Sequence, residues 1–228
     1  MASSNPCSFP VAGVARAGLL CLGVGIGSTG CGLGELDGLT GGAGGTTPSG
    51  RQALPLVVDQ FFVAASWGAG LNGNATMTPS LSSAAKDCTG DRPPNARGDC
   101  HSVTYASFPN GDPGGFAWLY PANNTGTLPG LLVAPGAQHI RFFARGAVGG
   151  EVVGFEAGGI GFFGNQPIRD GFAIAPQNVT LTTEWQKYSL DLAGKDYSTG
   201  LLGAFGWQLL PSSNTAPVKF FIDDLVYE

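Results

Sequence analysis

The side chains in this sequence with chemistry to offer are flat aromatic rings and a scatter of carboxylates. Trp67, Trp118, Tyr120 and Trp207, together with Phe162 and Phe163, are rings able to stack on the apolar faces of sugars. Trp67 is the best single candidate, because it lies in Ser66-Trp67-Gly68-Ala69-Gly70. That stretch reads as a loop, where an exposed indole needs a use. Trp118 and Tyr120 are two apart and share a strand face with Phe116. Such a row fits a sugar platform or, better, the filling of a core. Asn110, Asp112, Asn123, Asn124, Asn165, Gln166 and Arg169 occupy loop-like segments and offer either hydrogen bonds to a ligand or turns. Catalysis has less support. Neither His101 nor His139 accompanies a nucleophile motif. Glu151, Glu156, Asp170, Glu184 and Asp191 are scattered, as solvated strand residues are. A paired-carboxylate hydrolase would need two such acids to meet in space, and no catalytic residue is assigned.

The elements that position these residues read as strands. Only 12% of residues are charged, and the chain has 38 Gly and 16 Pro, which suits short strands joined by tight turns. β-type segments fall at 56–62, 101–105, 116–120, 139–144, 151–157, 179–181, 187–192, 205–210 and 219–227, with turn residues between them. Tyr188, Leu190 and Leu192 alternate onto one face, as do Ile140, Phe142 and Ala144. One face in and one out predicts two sheets packed face to face. No internal repeat and no helical stripe beyond the N-terminal segment is present. With 11 basic and 16 acidic residues the chain lacks the basic footprint of a nucleic-acid partner.

The N-terminal segment reads as an export signal. Arg16 precedes the apolar run 17–26, the small residues Gly27-Ser28-Thr29-Gly30 follow, and Cys31 comes next. The run is too short for a membrane span. A Cys directly after such an exit resembles the lipobox of bacterial lipoproteins, which implies cleavage after residue 30, lipidation of Cys31 and anchoring to a membrane of the bacterial cell envelope, facing the periplasm or the cell surface. The alternative is an ordinary cleaved signal. Cys7 and Cys21 leave with the signal in either case. Residues 31–53, rich in Gly, Thr and Ser, cannot bury enough surface to order themselves and read as a flexible tether. The remaining 54–228 is one domain, expected to be a monomer. With Cys31 acylated, Cys88 and Cys100 form an even pair in an oxidising compartment, and a disulfide closing a surface loop is expected. Sequons at Asn74, Asn123 and Asn178 would matter only in a eukaryotic secretory route.

Four segments carry a further resemblance. The run 181–192, Leu-Thr-Thr-Glu-Trp-Gln-Lys-Tyr-Ser-Leu-Asp-Leu, is similar to the "L-T-x-x-W-x-x-Y-x-x-D-L" strand pair of galactose-binding-like jelly rolls. Phe220-Phe221-Ile222-Asp223-Asp224-Leu225 resembles their closing strand "F-x-I-D-D-I". Ile140-Arg141-Phe142-Phe143-Ala144-Arg145-Gly146 resembles their "I-x-F-W-A-K-G" strand, and Val58-Asp59-Gln60-Phe61 their opening "I-D-D-F". These domains include many carbohydrate-binding modules of bacterial glycoside hydrolases. The resemblance implies an all-β jelly-roll sandwich, a packing role for Trp185, and a structural calcium bridging the opening and closing strands through Asp59 and Asp224 (or Asp223), with backbone carbonyls completing the shell. It also implies a non-catalytic carbohydrate-binding module, with a polysaccharide or glycan as partner. Fold does not fix ligand, so an adhesion lipoprotein that binds a protein and a small glycan-active hydrolase are the alternatives.

Overall fold

The protein is described by a computed structural model covering residues 50–68, 75–80, 88, 92–108, 111–162, 165–215 and 217–228. The expected signal, Cys31, residues 31–49 of the tether, Asn74, Asn110 and Phe163 lie outside the described residues.

Eleven strands are present among the described residues. In chain order they are β1 (Leu56–Val57), β2 (Val63–Gly68), β3 (Ala75–Ser80), β4 (Cys100–Tyr105), β5 (Gly114–Leu119), β6 (His139–Gly146), β7 (Val152–Gly158), β8 (Ala173–Thr180), β9 (Gln186–Asp191), β10 (Gly203–Leu209) and β11 (Val218–Tyr227). One sheet has the order β3-β4-β11-β6-β9, with β1 added on β11; the other has the order β2-β5-β10-β7-β8. Every pairing between these strands is antiparallel, and the chain crosses repeatedly from one sheet to the other. The fold is an all-β jelly-roll sandwich, as expected.

Side-chain period explains the layering. On β6, Ile140, Phe142 and Ala144 are buried, while the residues between them are half-buried. Leu190 on the next strand of that sheet and Leu192 just beyond its end are buried, with Tyr188 packed at their side. Facing them across the core stand Phe155, Phe205 and Trp207 of the second sheet. Phe142 is 4.6 Å from Phe155 and 4.9 Å from Phe205 between ring centroids, so the two sheets meet largely through aromatic edges and faces. Strand β11 is almost wholly buried and runs between β4 and β6.

Two segments differ from the sequence expectation. The 56–62 run is not one strand. It becomes the two-residue β1 and a 3-10 turn at Val58–Gln60, which leads into β2. The segment expected at 179–181 is the end of β8, whose residues are mostly exposed and so carry little apolar signal. The expected Cys88–Cys100 disulfide is present, with Cα atoms 6.2 Å apart. Both sulfurs are buried against Phe221, and Trp185 packs on this small satellite core, which gives it the expected structural role.

Candidate functional site

The outer face of the second sheet forms a groove of about 800 Å³. Two rows of registered residues build it. The first row is Ala65, Ala117, Gly206 and Glu156, one each from β2, β5, β10 and β7. The second runs Trp67, Gly115, Gln208, Gly154 and Asn178, of which Trp67 and Gln208 line the groove. Their sequence neighbours Trp118, Phe155, Phe205 and Trp207 point the other way, into the core. A face made of Ala and Gly cannot fill itself, and that leaves a trough.

Glycine matters most at two places. A Cβ on Gly115 would collide with the Trp207 carbonyl oxygen and lie 2.9 Å from Cζ2 of Trp67, so the bare backbone lets β10 and the indole both come close. A Cβ on Gly206 would lie 3.0 Å from Cγ of Glu156, so the glutamate reaches over the floor. Gly206→Val should therefore fill the trough and displace Glu156. It is expected to weaken any ligand of the groove at least tenfold, about 1.4 kcal/mol, and to lower the melting midpoint as well, since the added side chain also crowds the Phe116 carbonyl; affinity electrophoresis and thermal denaturation check this.

Trp67 is half-buried at one side of the groove, and its place on β2 corrects the loop expected for it. Asn123 and Thr125 of the β5–β6 connection and Gly159 and Ile160 of the β7–β8 connection line the rim. Glu156 is the one charged side chain among the described lining residues. Burial disfavours its ionised form and raises its carboxyl above the ordinary range.

The β7–β8 connection is pinned by Asp170. Its carboxylate, buried to 1% exposure, accepts from the backbone N–H groups of Leu202 at 2.6 Å, Ile160 at 2.9 Å and Gly203. Burial outweighs these donors and pushes the carboxyl up from 3.8 to about 6. The native state thus holds this proton more tightly than the unfolded chain. The resulting contribution is complete below the unfolded value of 3.8 and is lost as pH rises through about 6. It is worth roughly 2–3 kcal/mol. Urea midpoints of the native protein and of Asp170→Asn should differ in slope over that window, the variant being the flatter.

Of the four aromatics expected to contact ligand, the structure places only Trp67 in the groove. Trp207 is fully buried, stacked on Phe116 at 5.3 Å and edge-on to Phe220 at 5.1 Å. Trp118 is 1% exposed, edge-on to His101 at 5.0 Å, and donates its indole N–H to Asp59 at 2.9 Å. Tyr120 packs on the core against Phe62 at 5.9 Å. These three are corrected to core residues: alternation puts them on the inner face, where aromatic area is worth most. Asn124 is also structural, since its buried amide oxygen accepts from the N–H groups of Gly126, Thr127 and Leu128. Glu156 and Gln208 were not singled out as ligand contacts. The signal for them was their place on the opposite parity from Phe155 and Trp207.

The expected calcium ligands do not form a calcium shell. Among the described residues, Asp59, Asp99 and His101 bring ligand-type atoms within 4.8 Å of one another, and Asp224 is not in that group. Oδ1 of Asp59 already faces His101 at 2.8 Å as well as the Trp118 indole, and Oδ2 accepts from the Asp99 N–H at 3.1 Å. Both oxygens of Asp224 accept from guanidinium groups, Arg97 at 3.1 Å on Oδ1 and Arg141 on Oδ2. Calcium wants six or more oxygens with free lone pairs. Asp224, with donors on both oxygens and two guanidinium groups beside it, does not fit it, while Asp59 lies apart in the group with His101 and Asp99, whose buried Oδ1 has no hydrogen-bond partner among the described residues.

No protein-family model and no curated protein matches this sequence. Among solved structures, similar chains include a family 11 carbohydrate-binding module of a cellulosomal cellulase of Clostridium thermocellum. It is 14% identical, with 76% of this chain and 93% of that one covered and a TM-score of 0.40. A family 30 carbohydrate-binding module is 14% identical, covering 72% and 90%, with a TM-score of 0.42. A family 29 module solved with mannohexaose is 13% identical, covering 73% and 79%, with a TM-score of 0.39. At that distance they identify no residue and no ligand of this chain.

Proposed function

We propose that the domain is a non-catalytic glycan-binding module that takes a chain of sugar rings into the groove of its second sheet. The indole of Trp67 stacks on a sugar face, and Glu156, Gln208 and Asn123 hydrogen-bond its hydroxyls. The observation that carries this reading is a half-buried Trp67 beside an open floor of Ala65, Ala117 and Gly206. A concave site with few polar groups suits ligand binding on a preformed scaffold. Hydrolysis of a glycoside needs two carboxyl groups flanking the bond, and Glu156 stands alone among the described lining residues. A glycan array tests the reading: signal on defined polysaccharides supports it. Absence of any glycan signal together with capture of a protein partner would replace it by the adhesion alternative, and release of reducing sugar by the hydrolase.

We propose also that the module is displayed on the bacterial cell envelope by lipidation of Cys31. The support is the sequence order of Arg16, apolar run, small-residue exit and Cys31. Metabolic labelling with palmitate should mark the chain and be lost in Cys31→Ser; an unlabelled native chain contradicts this.

A further inference from the structure

At the opening and closing strands, the charged residues form one connected network away from the groove. Arg92 makes a forked pair with Asp223, Nε to Oδ2 at 2.7 Å and Nη2 to Oδ1 at 2.6 Å, and Nη2 also donates to the Gly98 carbonyl at 3.0 Å. The Asp223 side chain is fully buried and that of Arg92 is 11% exposed. Arg97 donates both its backbone N–H and Nε to Oδ1 of Asp224. Arg141, on the strand beside β11, holds the other oxygen of Asp224 and donates Nε to Glu228 at 2.8 Å. Arg92 and Arg97 both come from the loop that the Cys88–Cys100 bridge closes. In the same loop, Gly98 packs on Asp59, where a Cβ would fall 2.8 Å from Oδ2, and Asp99 donates its N–H to that oxygen.

We propose that this arginine network ties the disulfide-closed loop and β6 to the closing strand β11, and that guanidinium groups hold Asp223 and Asp224 in place of a divalent cation. The carboxylates that a cation at the closing strand would recruit are Asp223 and Asp224. Each has N–H donors on its oxygens, and three guanidinium groups repel a second positive charge there. A forked guanidinium matches a carboxylate in both geometry and charge. Asp224 supports the arrangement from the backbone side. It sits at φ 53° within the β11 irregularity, between Asp223 and Val226. That left-handed turn aims its carboxylate away from the regular ladder toward Arg97 and Arg141.

Thermal denaturation of the purified, oxidised chain tests this with EDTA and with millimolar calcium. The expected result is one midpoint under both conditions. Arg92→Met, which leaves Asp223 buried and unpaired, should lower that midpoint by about 10 °C. Arg92→Lys keeps the charge but not the fork and should fall in between. A native midpoint raised by calcium or lowered by EDTA would overturn the proposal, and so would Arg92→Met melting with the native protein. The native series decides the matter even if the methionine variant does not fold.

Discussion

Trp67→Ala is expected to cost at least about 2 kcal/mol of glycan affinity, roughly thirtyfold, and to leave the melting midpoint nearly unchanged. The two halves of that statement come from where the indole sits. Trp67 is only half-buried, on the outer face of β2, and contributes no atoms to the principal core. Removing it opens no cavity between the sheets. It does remove the one large aromatic side chain that is not fully buried among the described residues lining the Ala65, Ala117 and Gly206 floor, and such a surface is the main source of apolar contact for a sugar ring there. Titration calorimetry on native and variant protein reads the first half, and a thermal melt reads the second. A variant that binds like the native protein would remove the role assigned to Trp67.

Trp118→Ala should behave in the opposite way, destabilising the fold by about 3–5 kcal/mol while leaving the groove chemistry intact in whatever fraction stays folded. Trp118 is fully enclosed, in edge contact with Phe205 at 5.4 Å and with His101. Its loss creates a void and strips the indole N–H from Asp59, whose carboxylate is then short of a donor in a buried place. Trp118→Phe should recover most of the packing and not the hydrogen bond, and so fall between the two. Urea denaturation of the three proteins gives the order. Equal stability of Trp118→Ala and native protein would place the indole outside the core.

Much of the fold was legible because strands announce themselves by period. Ile140, Phe142 and Ala144 on β6 were read correctly from alternation alone, and so was the disulfide from an even pair of cysteines. Strands β2 and β3 escaped because Ala, Ser, Thr and Gly dominate them, and small residues give neither an apolar stripe nor a β-branched run. That same blandness is what makes the groove: the floor had no sequence signal because it consists of missing side chains. The aromatics were legible as a set but not as individuals. Trp118, Tyr120 and Trp207 differ from Trp67 only in which sheet face their parity selects, and the register that fixes parity comes from pairing with distant strands. The ionic network could not be read for a related reason. Arg92 and Asp223 are 131 residues apart, and their pairing follows from the closing of the disulfide loop over β11, not from any local pattern.

The central claim is that Trp67 is the surface on which a glycan lies. The four tryptophan indole N–H signals, from Trp67, Trp118, Trp185 and Trp207, give the most direct test in a nitrogen-15 NMR titration with a polysaccharide fragment that scores in the array. The Trp67 signal, assigned by its loss in Trp67→Phe, is expected to move with saturation while those of Trp118 and Trp207 stay in place. A glycan that binds and leaves the Trp67 signal still, or shifts Trp185 instead, contradicts the claim.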